Sequence, residues 1–151
     1  QSLQTIKVYN ANSMVSQFSI SGSWTVQDYC FESNRAEFYT LEKPNAVGEP
    51  YIIGFYSITY NWVRKVNMTE KYVAGENPLI KCIRRSMFIN FTDRVRVYTL
   101  NQSLWNIKVI RNHGPLFNVH AFGEAFTMHN GSHVLLFNTT TNYSLVKAIP
   151  T

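Results

Sequence analysis

The stretch Phe122-Gly123-Glu124-Ala125-Phe126-Thr127-Met128-His129-Asn130-Gly131-Ser132-His133-Val134-Leu135-Leu136-Phe137-Asn138 governs the reading of the whole chain. Its residues alternate at period two on both sides of Asn130-Gly131, the pair preferred in type I′ hairpin turns. Counting back from that turn sets Met128 opposite His133, Phe126 opposite Leu135 and Glu124 opposite Phe137. One face of the predicted hairpin carries Phe122, Glu124, Phe126, Met128, His133, Leu135 and Phe137. The other carries Ala121, Gly123, Ala125, Thr127, Val134, Leu136 and Asn138. Asn138 opens the sequon Asn138-Thr139-Thr140, and an asparagine that bears a glycan has to face water. The aromatic face is therefore expected inside.

Working outward, β-branched and aromatic runs recur between Gly, Pro, Asn and Asp breakers, and no stretch has a convincing helical period. Strands are predicted at Thr5–Tyr9, Phe18–Val26, Glu37–Leu41, Tyr51–Val66, Leu79–Ile83, Met87–Phe91, Val95–Leu100, Leu104–Arg111, Leu116–Met128, His133–Asn138 and Tyr143–Ile149. Strands at this spacing imply an all-β fold, either an antiparallel barrel or a two-sheet sandwich. No internal repeat or linker interrupts the chain, so residues 1–151 read as one domain.

Sequons begin at Asn67, Asn90, Asn101, Asn130, Asn138 and Asn142. Fifteen asparagines and 24 serines plus threonines in 151 residues would give about 2.4 by chance, so six is an excess. The excess points to a secreted glycoprotein or an ectodomain, cellular or viral. The outward rule applied to Ser86–Thr92 turns Asn90 to solvent and Met87, Ile89 and Phe91 inward. All six sequons lie at Asn67 or later, which leaves residues 1–66 as the expected unshielded surface.

Composition fits this reading. Charged residues make up only 15% and aromatics also 15%, so glycans would supply solvation that charge does not. The net charge of +5 is scattered in short runs such as Arg64-Lys65 and Arg84-Arg85, which argues against nucleic acid as a partner. Cys30 and Cys82 are the two cysteines, expected to pair in an oxidising compartment. A start at Gln1 without a charged-then-apolar leader suggests a mature form with its signal peptide removed. No apolar run reaches the length of a membrane span.

Catalytic chemistry finds little support. His113, His120, His129 and His133 lack the convergence that zinc needs, so no metal site and no cofactor are expected. Only Asp28 and Asp93 could complete a Ser-His-Asp set, and no nucleophile elbow is present. Glu124 draws attention because the hairpin turns a carboxylate inward among aromatics. It would anchor a ligand there, or pair with a structural arginine. Tyr51, Phe55, Tyr56, Tyr60 and Trp62 crowd a single predicted strand on both faces, one of them more than a core requires.

Gly22-Ser23-Trp24 resembles the G-x-W motif of the lipocalins, and residues 133–146 are similar to the family's later strand–turn–strand, with Thr140-Thr141-Asn142-Tyr143 replacing its acidic turn. The resemblance implies an eight-stranded barrel that holds a hydrophobic small molecule, with Trp24 closing the floor. A third motif and a C-terminal helix of that family have no counterpart here.

The expected function is non-enzymatic. A secreted glycosylated β-domain would hold a hydrophobic or amphipathic ligand through Tyr56, Tyr60, Trp62, Phe122, Glu124, Phe126 and Phe137. The alternative is a receptor- or glycan-recognition domain that binds through its sequon-free N-terminal half.

Overall fold

The computed structural model describes residues 4–9, 12–14, 16–22, 25–32, 37–57, 62–83, 86–99, 108–111, 116–119, 125–138 and 143–151. These residues form strands and turns and contain no helix. The chain divides into two compact units, Gln1–Glu76 and Asn77–Thr151.

In the first unit β1 (Gln4–Tyr9) and β2 (Ser16–Gly22) form an antiparallel pair. Strands β3 (Thr25–Glu32), β4 (Glu37–Lys43), β5 (Pro50–Ser57) and β6 (Trp62–Lys71) form a four-stranded antiparallel sheet in that order. The second unit holds two more such sheets. One contains β7 (Leu79–Ile83), β8 (Ser86–Asn90), β9 (Arg94–Thr99) and β10 (Lys108–Arg111), and the other β11 (Leu116–Val119), β12 (Ala125–His129), β13 (His133–Asn138) and β14 (Leu145–Pro150). Each strand pairs with its neighbour in sequence, so every four-stranded sheet is a meander, the unit repeated in β-propellers. The all-β antiparallel class is as the sequence implies. No closed barrel forms among the described strands, because each sheet ends in two edges.

Three predicted strands are in fact pairs. Phe18–Val26 divides into β2 and β3, Tyr51–Val66 into β5 and β6, and Leu116–Met128 into β11 and β12. Runs of 13 and 16 residues exceed the 3–10 residues usual for a strand. The sequence between Ser57 and Trp62 carries no Gly or Pro to mark a division into β5 and β6.

The hairpin of β12 and β13 keeps the predicted faces and changes register. Phe126 pairs with Phe137, and Met128 with Leu135. The turn is Gly131-Ser132, closed by the Asn130 N–H donating to the His133 carbonyl at 3.2 Å. Gly131 has φ +96° and Ser132 does not have positive φ, the φ pattern of a type II′ turn. Asn130 stabilises it from outside, its Oδ1 accepting from the Ser132 and His133 N–H groups. Moving the turn by one residue changes every pair by two positions, so the same side chains stay inside. Phe126, Met128, Leu135 and Phe137 are buried, while Ala125, Thr127, Val134 and Leu136 are half-exposed.

Asn90 is corrected outright. It is buried, 8% exposed, along with Met87, Phe88 and Ile89. β8 is an interior strand with both faces covered, so alternation carries no inside–outside signal there. Phe88, Val95 and Val97 join Phe126, Met128, Leu135 and Phe137 in one apolar cluster. In the first unit Ile6 and Val8 of β1 pack against buried Phe38 and Tyr56. Cys30 and Cys82 are disulfide-bonded, and neither cysteine is free.

Candidate binding face of the four-stranded sheet

Directly paired residues of antiparallel strands share a face, so the register of β3–β6 sorts their side chains. Phe31 stands opposite Phe38, which stands opposite Tyr56. Tyr29, Thr40, Gly54 and Lys65 form the next row across all four strands. Glu42, Ile52 and Asn67 form a third row on β4, β5 and β6.

The centre of this face is polar and buried. Glu42, only 1% exposed, accepts from the Thr40 hydroxyl at 3.2 Å and the Tyr56 hydroxyl at 3.4 Å. The Lys65 ammonium reaches it from β6 at 3.1 Å and is itself partly exposed. A buried carboxylate is tolerated only with partners of this kind. Gly54 makes the assembly possible. A Cβ at that position would stand 2.4 Å from the Thr40 hydroxyl oxygen and 2.8 Å from a Tyr56 ring carbon. Burial, reinforced by the Glu42 charge, pushes the Tyr56 phenol up from 10.0 to about 12.

Beside this network lies a pocket of about 390 Å³. Its walls are supplied by Glu42, Lys43, Pro44, Asn45, Glu49, Pro50, Ile52 and Asn67. The loop that supplies the walls is tied down. Gly48 donates its N–H to the Tyr72 carbonyl and Tyr72 donates to Glu49, both at 2.9 Å. The Lys43 ammonium lies 4.4 Å from the centroid of the Tyr72 ring, which meets Tyr51 edge-on. At the β3 edge the same face changes character: Tyr29 is 60% exposed and Phe31 46%. Tyr29 is braced by Phe38, with ring centroids 5.6 Å apart.

The predicted ligand residues fare differently. Tyr56 is buried in the network above. Phe126 and Phe137 stack at 4.9 Å in the core of the second unit, so they fill its interior themselves. Tyr60, Phe122 and Glu124 lie outside the described residues, as do Ser23 and Trp24 of the G-x-W segment and the sequon positions Asn101 and Asn142. Trp62 lies on β6, and the structure describes its backbone only. His129 and His133 end their strands as half-buried residues of the Gly131 turn: His129 Nδ1 accepts from the Gly131 N–H, and His133 Nδ1 lies 2.8 Å from the Ser132 hydroxyl. Among the described residues no cluster of His, Cys, Asp or Glu could hold a metal ion. No helix among them is long and apolar enough to cross a membrane. Glu32, Glu42, Glu70 and Glu76 are buried carboxylates that sequence reasoning did not single out, and Glu42 is the one at the centre of this face. Glu42 lies one residue past the predicted strand Glu37–Leu41, whereas β4 runs on to Lys43.

No protein-family model and no curated protein sequence matches the chain. Solved structures do. The chain is similar to a functionally unknown protein from Desulfotomaculum acetoxidans, with 14% identity and a TM-score of 0.66 over 91% of this chain and 46% of that one. It is also similar to Hsv2 of Kluyveromyces lactis, with 10% identity and a TM-score of 0.59 over 85% of this chain and 38% of that one. Hsv2 of Kluyveromyces marxianus gives 11% identity and a TM-score of 0.54 at the same coverage. The likeness concerns the fold, and the chain spans less than half the length of each of these structures.

Proposed function

We propose that the chain is a secreted, glycosylated, non-enzymatic recognition domain that binds a protein partner through the β3 edge of its first unit. The observation that carries this reading is the exposure of Tyr29 and Phe31 on an edge strand within the sequon-free half. Large aromatics displayed side by side on a rigid sheet are typical anchors of protein interfaces. The disulfide is compatible with an oxidising, extracellular setting. A small hydrophobic ligand is less well supported, because Tyr56, Phe126 and Phe137 are already packed against protein.

The test is binding of labelled, disulfide-intact protein to a panel of cultured cells, with Tyr29→Ala/Phe31→Ala alongside. Losing two hot-spot aromatics should weaken cell binding by about tenfold or more, with the melting temperature retained. Undiminished binding by the double variant would refute the assignment to β3. A small molecule retained in native mass spectrometry, without cell binding, would restore the ligand-carrier reading.

A further inference from the structure

We infer that Asn67 carries an N-linked glycan whose first sugar seats in the pocket between the Pro44-Asn45 and Glu49-Pro50 walls. Asn67-Met68-Thr69 is a sequon in which Asn67 and Thr69 are exposed and Met68 is buried, so the acceptor amide faces solvent. Asn67 lines the pocket and pairs directly with Ile52, which lines it too. In the modification the Asn67 Nδ2 gives up one proton and bonds the sugar's C1, the C1–O bond to a lipid-linked pyrophosphate breaks, and the lipid pyrophosphate departs with the bonding electron pair. The sugar is thereby tethered at the mouth of a preformed cavity large enough for a small molecule.

The lining suits a monosaccharide. Pro44, Pro50 and Ile52 offer apolar surface to the C–H face of the ring, while Asn45 and Glu49 offer polar groups to its hydroxyls and acetamide. Hydrogen bonds join this loop to Tyr72 and fix its walls. The placement also bears on recognition. β6 is the edge of the sheet opposite β3, and a seated glycan blocks it against pairing with another chain.

This inference rests on the secreted-glycoprotein reading, and its test separates the two. Protein secreted from glycosylating cells is mapped by glycopeptide mass spectrometry, then treated with a peptide-N-glycosidase in its native state. Release at Asn67 should run about tenfold slower than at exposed Asn130, the protection that about 1.4 kcal/mol of local contact gives. Asn45→Ala/Glu49→Ala should bring the two rates together without changing occupancy. Thr69→Ala should leave Asn67 unmodified and raise hydrogen exchange across residues 44–50. A bare Asn67 beside modified Asn130 and Asn138, or release as fast as at Asn130, would overturn the inference alone. Six bare sequons would overturn the secretory reading with it.

Discussion

Gly54 faces Thr40 across β4 and β5 so closely that its first side-chain carbon, if it had one, would stand 2.4 Å from the Thr40 hydroxyl oxygen. The missing side chain is what lets Thr40 and Tyr56 converge on Glu42 from two strands. Glycine within a strand normally weakens it, and replacement by alanine usually stabilises through the unfolded state. Gly54→Ala should do the opposite and cost about 1–3 kcal/mol by overpacking. Urea denaturation reads the sign directly, and an unchanged or raised midpoint would refute the crowding.

Tyr56 gives the sheet an alkaline limit. Its phenol is neutral and buried in the folded state, with a pKa near 12 against 10.0 when exposed. Between those values the folded state holds a proton that the unfolded state has lost, so stability must fall as pH rises. The contribution is complete below pH 10 and disappears through about pH 12. Tyr56→Phe should flatten that decline, and ultraviolet titration should show one tyrosine fewer ionising near pH 12. In Glu42→Gln the negative charge is gone, so the tyrosine should ionise at lower pH than in the parent.

The contrast between Glu42 and the hairpin shows how much of this was legible in the sequence. Alternation around Asn130-Gly131 gave the correct inside face, because parity survives a one-residue error in turn position. The turn itself was misplaced, since Asn130 acts as an external acceptor and leaves the central positions to Gly131-Ser132. Asn90 failed for a different reason: on a strand buried on both sides, period two no longer separates core from solvent. The Glu42 network joins Thr40, Tyr56 and Lys65 from three strands, and only their register reveals it. Reading Tyr51–Val66 as one strand removed the β5–β6 pairing on which that register depends.

The disulfide should carry a large share of the stability. Cys30 and Cys82 close a loop of 53 residues, counted inclusively. In the chain-entropy model that cross-link is worth about 4 kcal/mol, comparable to the net stability of a small domain. Cys30→Ser/Cys82→Ser should lower the denaturation midpoint accordingly, and so should reduction of the parent protein. A double variant as stable as the parent would show that the bridge is dispensable.

Asn90 separates sequence from structure most sharply, because its sequon predicts modification and its burial forbids it. Asn90 pairs with Leu79 and Val95 inside the β7–β10 sheet and is 8% exposed. A sugar attached there would have to open that sheet. Glycopeptide mapping of folded, secreted protein should therefore find Asn90 bare while exposed Asn130 is occupied. Chains modified at Asn90 should be retained in the cell as misfolded material. Asn90→Asp provides the complementary test, since it places a charge where the amide is buried and should cost several kcal/mol unless the carboxyl stays protonated. Its stability should consequently improve as pH falls towards the carboxylate range. A folded, secreted form with a glycan on Asn90 would show that β8 is not the interior strand described.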